Sequence, residues 1–192
     1  MEKAQKEGNK EMEIFLIDNL IQKFRGTIIR QTQFAEFELD LHSIAETGND
    51  GLSPDVMSSL FSRLNSEYYG YGNQIDGSSY KYPHSFHASP QSAFDFLRVP
   101  HFFYNFYVYK YATSMSVSNV LSQRILNGST QERQENLHKL FILLKAGCSK
   151  PPLEIMADAG VDIRTPKPFV ESLEFMEKLI ERLDELTTEQ HI

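Results

Sequence analysis

The stretch VPHFFYNFYVYKYATS, residues 99–114, carries the residue types best suited to chemistry: one imidazole, His101, and four phenols, Tyr104, Tyr107, Tyr109 and Tyr111. Seven aromatic residues fall in the ten positions from Phe102 to Tyr111. Read as one helix from about 101 to 126, Phe103, Tyr107 and Tyr111 share a face, and Phe102, Phe106 and Tyr109 share a neighbouring one. Aromatics would then cover most of the circumference, which implies burial on several sides. Phenylalanine alone would serve a core; each buried tyrosine needs a hydroxyl partner or access to a wet cleft. Two readings stay open, a core helix bordering a polar cleft and a plain core helix. In the first, phenol and imidazole donors could stabilise a developing oxyanion.

Other reaction-carrying patterns are missing. None of His42, His84, His87, His101, His138 and His191 is followed by glutamate, so there is no H-E-x-x-H helix. Cys-x-x-Cys, G-x-x-x-x-G-K-[ST] and G-x-S-x-G are absent too. His84 and His87 have a spacing that would suit zinc on a helix. They sit in a Pro/Ser loop with no third ligand nearby, and are read as solvent-exposed. Glu36 and Glu38 stand two apart and do not face each other on a helix, so they do not form a paired acid and base; one could lie in a cleft, but the favoured reading is of exposed acids on a helix packed by Phe34 and Phe37. Cys148, the single cysteine, excludes an internal disulfide framework and fits a reducing compartment. It is read as a buried or idle thiol.

The elements that must position the aromatic stretch are helical. Apolar residues recur at helical spacing from Ile14 to Phe24, and Gly26 is expected to break or bend that run. A second run uses Ile28, Ile29, Phe34, Phe37 and Leu41, and ends in the turn-rich ETGNDGLSPD. Ser53 as N-cap and Pro54 at the first position start the next helix, buried through Val56, Leu60, Phe61 and Leu64. A long Gly/Ser/Tyr/Pro loop spans 68–90; loops of that length are usually functional or mobile. Ser129 or Thr130 caps a helix at roughly 130–146 that Gly147 ends, and Pro151-Pro152 opens a short one at 152–158. A last amphipathic helix, about 167–187, turns Phe169, Leu173, Met176, Leu179, Ile180 and Leu183 inward. With no sustained alternation of strand type, the expectation is an all-α chain, residues 1–192 forming a single domain of about seven helices.

Charge and hydropathy narrow the partners. Nineteen Lys and Arg against 26 Asp and Glu give a net charge of −7, a poor match to nucleic acid. No apolar run reaches the roughly 18–20 residues of a membrane span; no positively charged n-region with an apolar run is seen in the opening residues, and no signal peptide is expected. The expected location is the cytoplasm.

The segments RGTIIRQTQFAEFELDLH, NSEYYG, RVPHFFYNFYVYKYATS and LKAGCSKPPLEIMADAGVDIRTPKP, followed by an amphipathic helix, occur in that order. This series resembles the C-terminal portion of oligoendopeptidase F, within the thimet-oligopeptidase-like zinc metallopeptidases, over about residues 14–185. The resemblance implies an almost wholly helical fold with a deep channel for short peptides. It also implies a zinc ion held by an H-E-x-x-H helix and a later glutamate, with the motif's glutamate as general base. In the family those elements precede RGT…FAEFE, so the chain opens where they would end. The resemblance therefore implies the substrate and oxyanion wall of the cleft without the zinc site. Such a chain is expected to be inactive alone, to bind no zinc alone, and to partner short peptides and the zinc-binding section. His101 matches the family's cleft histidine, Tyr107 and Tyr109 match catalytic tyrosines, and Tyr104 lies close to another. Tyr69 and Gly70 match a glycine-containing stretch near the substrate. The alternative is a standalone, non-catalytic helical protein that binds peptides or pairs with another chain.

Overall fold

In a computed structural model that describes residues 2–48, 51–70 and 90–188, eight α-helices, one π turn and two 3-10 segments account for the architecture, and no strand occurs among the described residues. The fold is all-α, as the helical periodicities require. The chain divides into two compact units, Ile29–Tyr111 and the combination of Met1–Ile28 with Ala112–Ile192.

The unit Ile29–Tyr111 is built from α3 (Arg30–Thr47), α4 (Pro54–Tyr69), a 3-10 helix (Pro90–Arg98) and a 3-10 turn (Pro100–Phe103). The N-terminal signals of α4 act as expected. The Ser53 side chain accepts from the Val56 N–H at 3.2 Å, and Pro54 occupies the first turn, where its missing N–H costs nothing. Both helices end at glycines in the left-handed region, Gly48 at φ 70° and Gly70 at φ 68°. Phe37 anchors the core with no exposed surface. Its ring centroid lies 5.0 Å from Phe61, 5.1 Å from Phe96 and 5.5 Å from Phe102. A buried polar chain crosses the same packing: Gln33 Nε2 donates to Asn65 Oδ1 at 2.6 Å, and Asn65 Nδ2 donates to the Ser92 carbonyl at 3.2 Å. Of the expected loop 68–90, Tyr68 and Tyr69 close α4; positions 71–89, His84 and His87 among them, lie outside the described residues.

The other unit contains α1 (Glu2–Lys6), α2 (Lys10–Phe24), most of α5 (Tyr109–Asn127), α6 (Thr130–Ala146), α7 (Pro152–Asp158) and α8 (Lys167–Thr188). Gly26 does not break the chain's helical course. A π turn, Arg25–Ile29, carries it directly into α3. Residues Ile17, Leu179 and Leu186 are the buried centre between α2 and α8, and Phe24 meets Phe175 at 5.9 Å. The α8 face differs in part from the expected one: Leu179 is buried as expected, but Leu173 and Ile180 are exposed, and Ser172 and Leu186 are buried. Two polar contacts set that rotation. Ser172 Oγ accepts from Asn119 Nδ2 at 3.3 Å, and Arg182 Nε donates to the buried Glu13 carboxylate at 3.0 Å. A second core gathers Val117, Val120, Leu121 and Val161 among α5, α6 and α7. Cys148 is free and exposed.

Candidate functional site

The aromatic stretch is not one helix. Pro100 opens a single 3-10 turn, in which the Tyr104 N–H bonds the His101 carbonyl at 3.0 Å. Asn105 and Phe106 then adopt φ of 47° and 56°, and α5 starts only at Tyr109. Asparagine tolerates the left-handed region; a phenylalanine there is uncommon and strained. The reason lies in a distant helix. Glu38 of α3, only 3% exposed, accepts the Phe106 N–H at 2.8 Å. The carboxylate satisfies a backbone donor that an unbroken helix would have satisfied internally. This corrects the reading of Glu38 as an exposed acid. Glu36 is engaged as well, accepting from the Tyr68 hydroxyl at 2.6 Å. Burial first, and then that bond to Glu36, raises the Tyr68 phenol above its ordinary value.

The break also overturns the expectation of burial all round. Val108 is buried and Phe102 packs against the core, but Phe103 is 83% exposed, and Tyr104, Phe106, Tyr107 and Tyr109 are also exposed. The kink turns Tyr104 and Tyr107 toward His101 instead of spacing them along a cylinder. His101 stacks on Tyr107 at 5.9 Å with an interplanar angle of 18°, and meets Tyr104 edge-on at 6.1 Å and Tyr111 edge-on at 5.5 Å. Tyr107 also meets Tyr111 at 5.7 Å and carries the Lys110 ammonium 4.9 Å from its ring centroid.

One polar contact organises this cluster. His101 Nε2 and the Tyr111 hydroxyl lie 3.0 Å apart. Either the phenol donates to a bare Nε2, or Nε2–H donates to the phenol oxygen, according to the imidazole tautomer. Desolvation first, and then neighbouring Tyr107, raises Tyr111 above its ordinary value of 10.0, so it keeps its proton throughout the neutral range. His101 and Tyr111 line a cavity of about 440 Å³ together with Arg30, Gln31, Phe34, Arg98, Val99 and Pro100. The structure thus assembles His101, Tyr104 and Tyr107, with His101 half-exposed. Tyr109 begins α5, and Tyr69 and Gly70 form the end of α4; of the six predicted site residues only His101 lines that cavity, and Tyr104 and Tyr107 join it through ring contacts alone. Sequence reasoning passed over Tyr111 as a partner for His101, although its place four residues after Tyr107 was a signal. The participation of Arg30 and Arg98 had no signal in spacing, since they reach the cavity from different elements.

Among the described residues, no group of three His, Cys, Asp or Glu side chains could hold a metal ion. No helix among the described residues is long and apolar enough to cross a membrane.

The all-α scaffold is that of a section of a zincin-type oligopeptidase catalytic domain, as a solved structure shows. The fold matches the crystal structure of oligoendopeptidase-F from Enterococcus faecium with a TM-score of 0.79 and 32% identity, covering 94% of this chain and 31% of that one. The sequence matches the model of peptidase family M3 over residues 1–175, and the chain belongs to that family. It is 35% identical to the chromosomal oligoendopeptidase F of Lactococcus lactis subsp. cremoris over 182 residues, 94% of this chain and 27% of that protein. It is 32% identical to the oligopeptidase PepF of Bacillus subtilis, over 93% of this chain and 24% of that protein. The chain therefore spans about a quarter of the length of these relatives.

Proposed function

We propose that this chain supplies the substrate and oxyanion wall of the cleft in a zinc-dependent peptidase that hydrolyses short peptides, while the zinc site belongs to a separate section. The single observation that carries the reading is the 3.0 Å contact between His101 Nε2 and the Tyr111 hydroxyl, within a half-exposed cluster that includes Tyr104 and Tyr107. Those groups stay polar, reachable and fixed by ring contacts, which is what an oxyanion donor needs. Tyr107 and Tyr109 are assigned to the reacting carbonyl with His101, and Tyr104, Tyr69 and Gly70 to peptide contacts, on the family resemblance. Zinc, when bound by the section that carries its ligands, activates the attacking water; this chain's residues hold the carbonyl and stabilise the charge that develops on it.

The chain alone is read as inactive, because its sequence lacks the H-E-x-x-H motif. Its partner is read as the zinc-binding section, and its location as the cytoplasm. Exposed apolar side chains support a covering partner. In the unit Ile29–Tyr111 they include Leu97 and Phe103; in the other unit, Leu126, Phe141 and Leu144.

Two measurements test this. Purified chain incubated with zinc and a quenched short peptide is expected to show no steady turnover; chelator-sensitive cleavage would overturn the assignment of the zinc site to another section. The same chain mixed with the zinc-binding portion of a relative is expected to gain activity. In that mixture His101→Ala should lower kcat by roughly 10²–10³ with little change in KM, because oxyanion donors act mainly in the transition state. An unchanged kcat would leave His101 only a structural part.

A further inference from the structure

The cavity beside His101 and Tyr111 has a charge of its own. Arg30 and Arg98 both line it, and both guanidinium groups lean on a single carboxylate. Arg98 Nη2 lies 3.1 Å from Asp95 Oδ1, and Arg30 Nη2 lies 3.9 Å from Asp95 Oδ2. Two cations against one anion leave an excess of one positive charge, in a chain whose net charge is −7. Asp95 is not among the lining residues, so the cavity presents the cationic side of this cluster.

Each arginine is placed to change partners. The Arg98 side chain is 70% exposed, and ion pairs of that kind contribute little, so exchanging Asp95 for another carboxylate costs little. Arg30 lies over the Phe34 ring, 5.2 Å from its centroid. A ring contact of that kind consumes none of the guanidinium N–H donors, and the ion pair of Arg30 with Asp95 is long at 3.9 Å. Planar guanidinium edges match carboxylates in a paired geometry that lysine cannot reproduce. His101 and Tyr111 add two hydrogen-bonding groups to the same space.

We propose that this cavity binds a carboxylate of a short peptide, held by Arg30 and Arg98 beside the His101–Tyr111 pair. The inference rests on the reading of this cluster as part of a peptide cleft and names the ligand class that the cleft prefers. A terminal carboxylate and an acidic side chain share this chemistry, and the test separates them.

The test titrates the full chain at low ionic strength with three acetylated alanine tetrapeptides, following the His101 imidazole and arginine Nε–Hε resonances by NMR. One peptide has a free C-terminal acid, one a C-terminal amide, and one an amide with an internal glutamate. The free acid or the glutamate peptide is expected to shift His101 and both arginines saturably, at least about tenfold more tightly than the neutral amide. Binding of the free acid alone assigns the terminal carboxylate; binding of the glutamate peptide assigns a side chain. Arg98→Ala should weaken binding about tenfold, with partial recovery in Arg98→Lys. Asp95→Asn should strengthen it, since it releases both guanidinium groups; a merely structural ion pair predicts no gain. Equal shifts of His101 by acid and amide, unaffected by Arg98→Ala, would overturn this inference and leave the peptide-cleft reading standing. Peptides that shift neither His101 nor the arginines would overturn both.

Discussion

Glu38 shows how one side chain sets the geometry of a cluster it does not join. Its carboxylate accepts the Phe106 N–H at 2.8 Å, at the second of two consecutive left-handed residues. A non-glycine residue in that region costs roughly 1–2 kcal/mol, and a charge-assisted bond to a buried acceptor is of the size needed to offset it. Glu38→Gln keeps an acceptor oxygen and is expected to keep the kink. Glu38→Leu leaves the N–H without its acceptor and should cost about 1–3 kcal/mol. It should also move the His101 ring resonances, because Tyr104 and Tyr107 lose their stations about the imidazole. Urea unfolding and NMR of the two variants check both outcomes. A Leu variant with unchanged His101 resonances would show that the rings are placed by other contacts.

At the scale of elements, the unit Ile29–Tyr111 depends on one helix face. Along α3, Gln33, Phe34, Phe37 and Glu38 are all buried, which puts two rings and two polar groups on the side facing α4 and the 3-10 helix Pro90–Arg98. The polar members are satisfied by Asn65 and by the Phe106 N–H, so this face positions neighbours as well as excluding water. Phe37 is the common contact of Phe61, Phe96 and Phe102. Phe37→Ala is expected to cost about 3–5 kcal/mol, since rings on three sides cannot collapse into the space together. It should lower the urea midpoint without changing the slope. A loss under 1 kcal/mol would mean that the 3-10 segment repacks freely.

For the whole molecule, acid is the condition that tests the long-range contacts between the N- and C-terminal helices. The buried Glu13 carboxylate accepts from Arg182 and from Gln5, and these bonds hold its pKa below the ordinary 4.5. Arg182 bridges Glu13 and Glu185, and both bonds raise the guanidinium further above its ordinary range. A folded pKa below the unfolded one means that the unfolded chain takes up the proton first as pH falls. The stabilisation by Glu13 is therefore full above pH 4.5 and is lost as pH falls through the lowered folded value. Unfolding monitored from pH 6 down to pH 3 should show a steeper loss in the native chain than in Glu13→Gln. Identical pH profiles for the two would show that Glu13 contributes nothing through its charge.

Local signals in the sequence determined the helices whose ends depend on neighbours a few residues away. The helix α6 begins at Thr130 because Ser129 and Glu132 cap each other's backbone N–H groups, and α7 runs over Pro152–Asp158 after its paired prolines. Residue type alone also singled out His101 and the four tyrosines of the aromatic run, because phenols and an imidazole there need partners that phenylalanine does not. Only the tertiary structure decided where those groups point. The bond that breaks the aromatic helix joins residues 68 apart in the chain, and the arginines that complete the cavity come from α3 and the 3-10 helix before His101. Periodicity reports which side of an element is apolar; it carries no record of a single buried carboxylate on another helix. The rotation of α8, set by Asn119 and Glu13, was hidden from the sequence for the same reason.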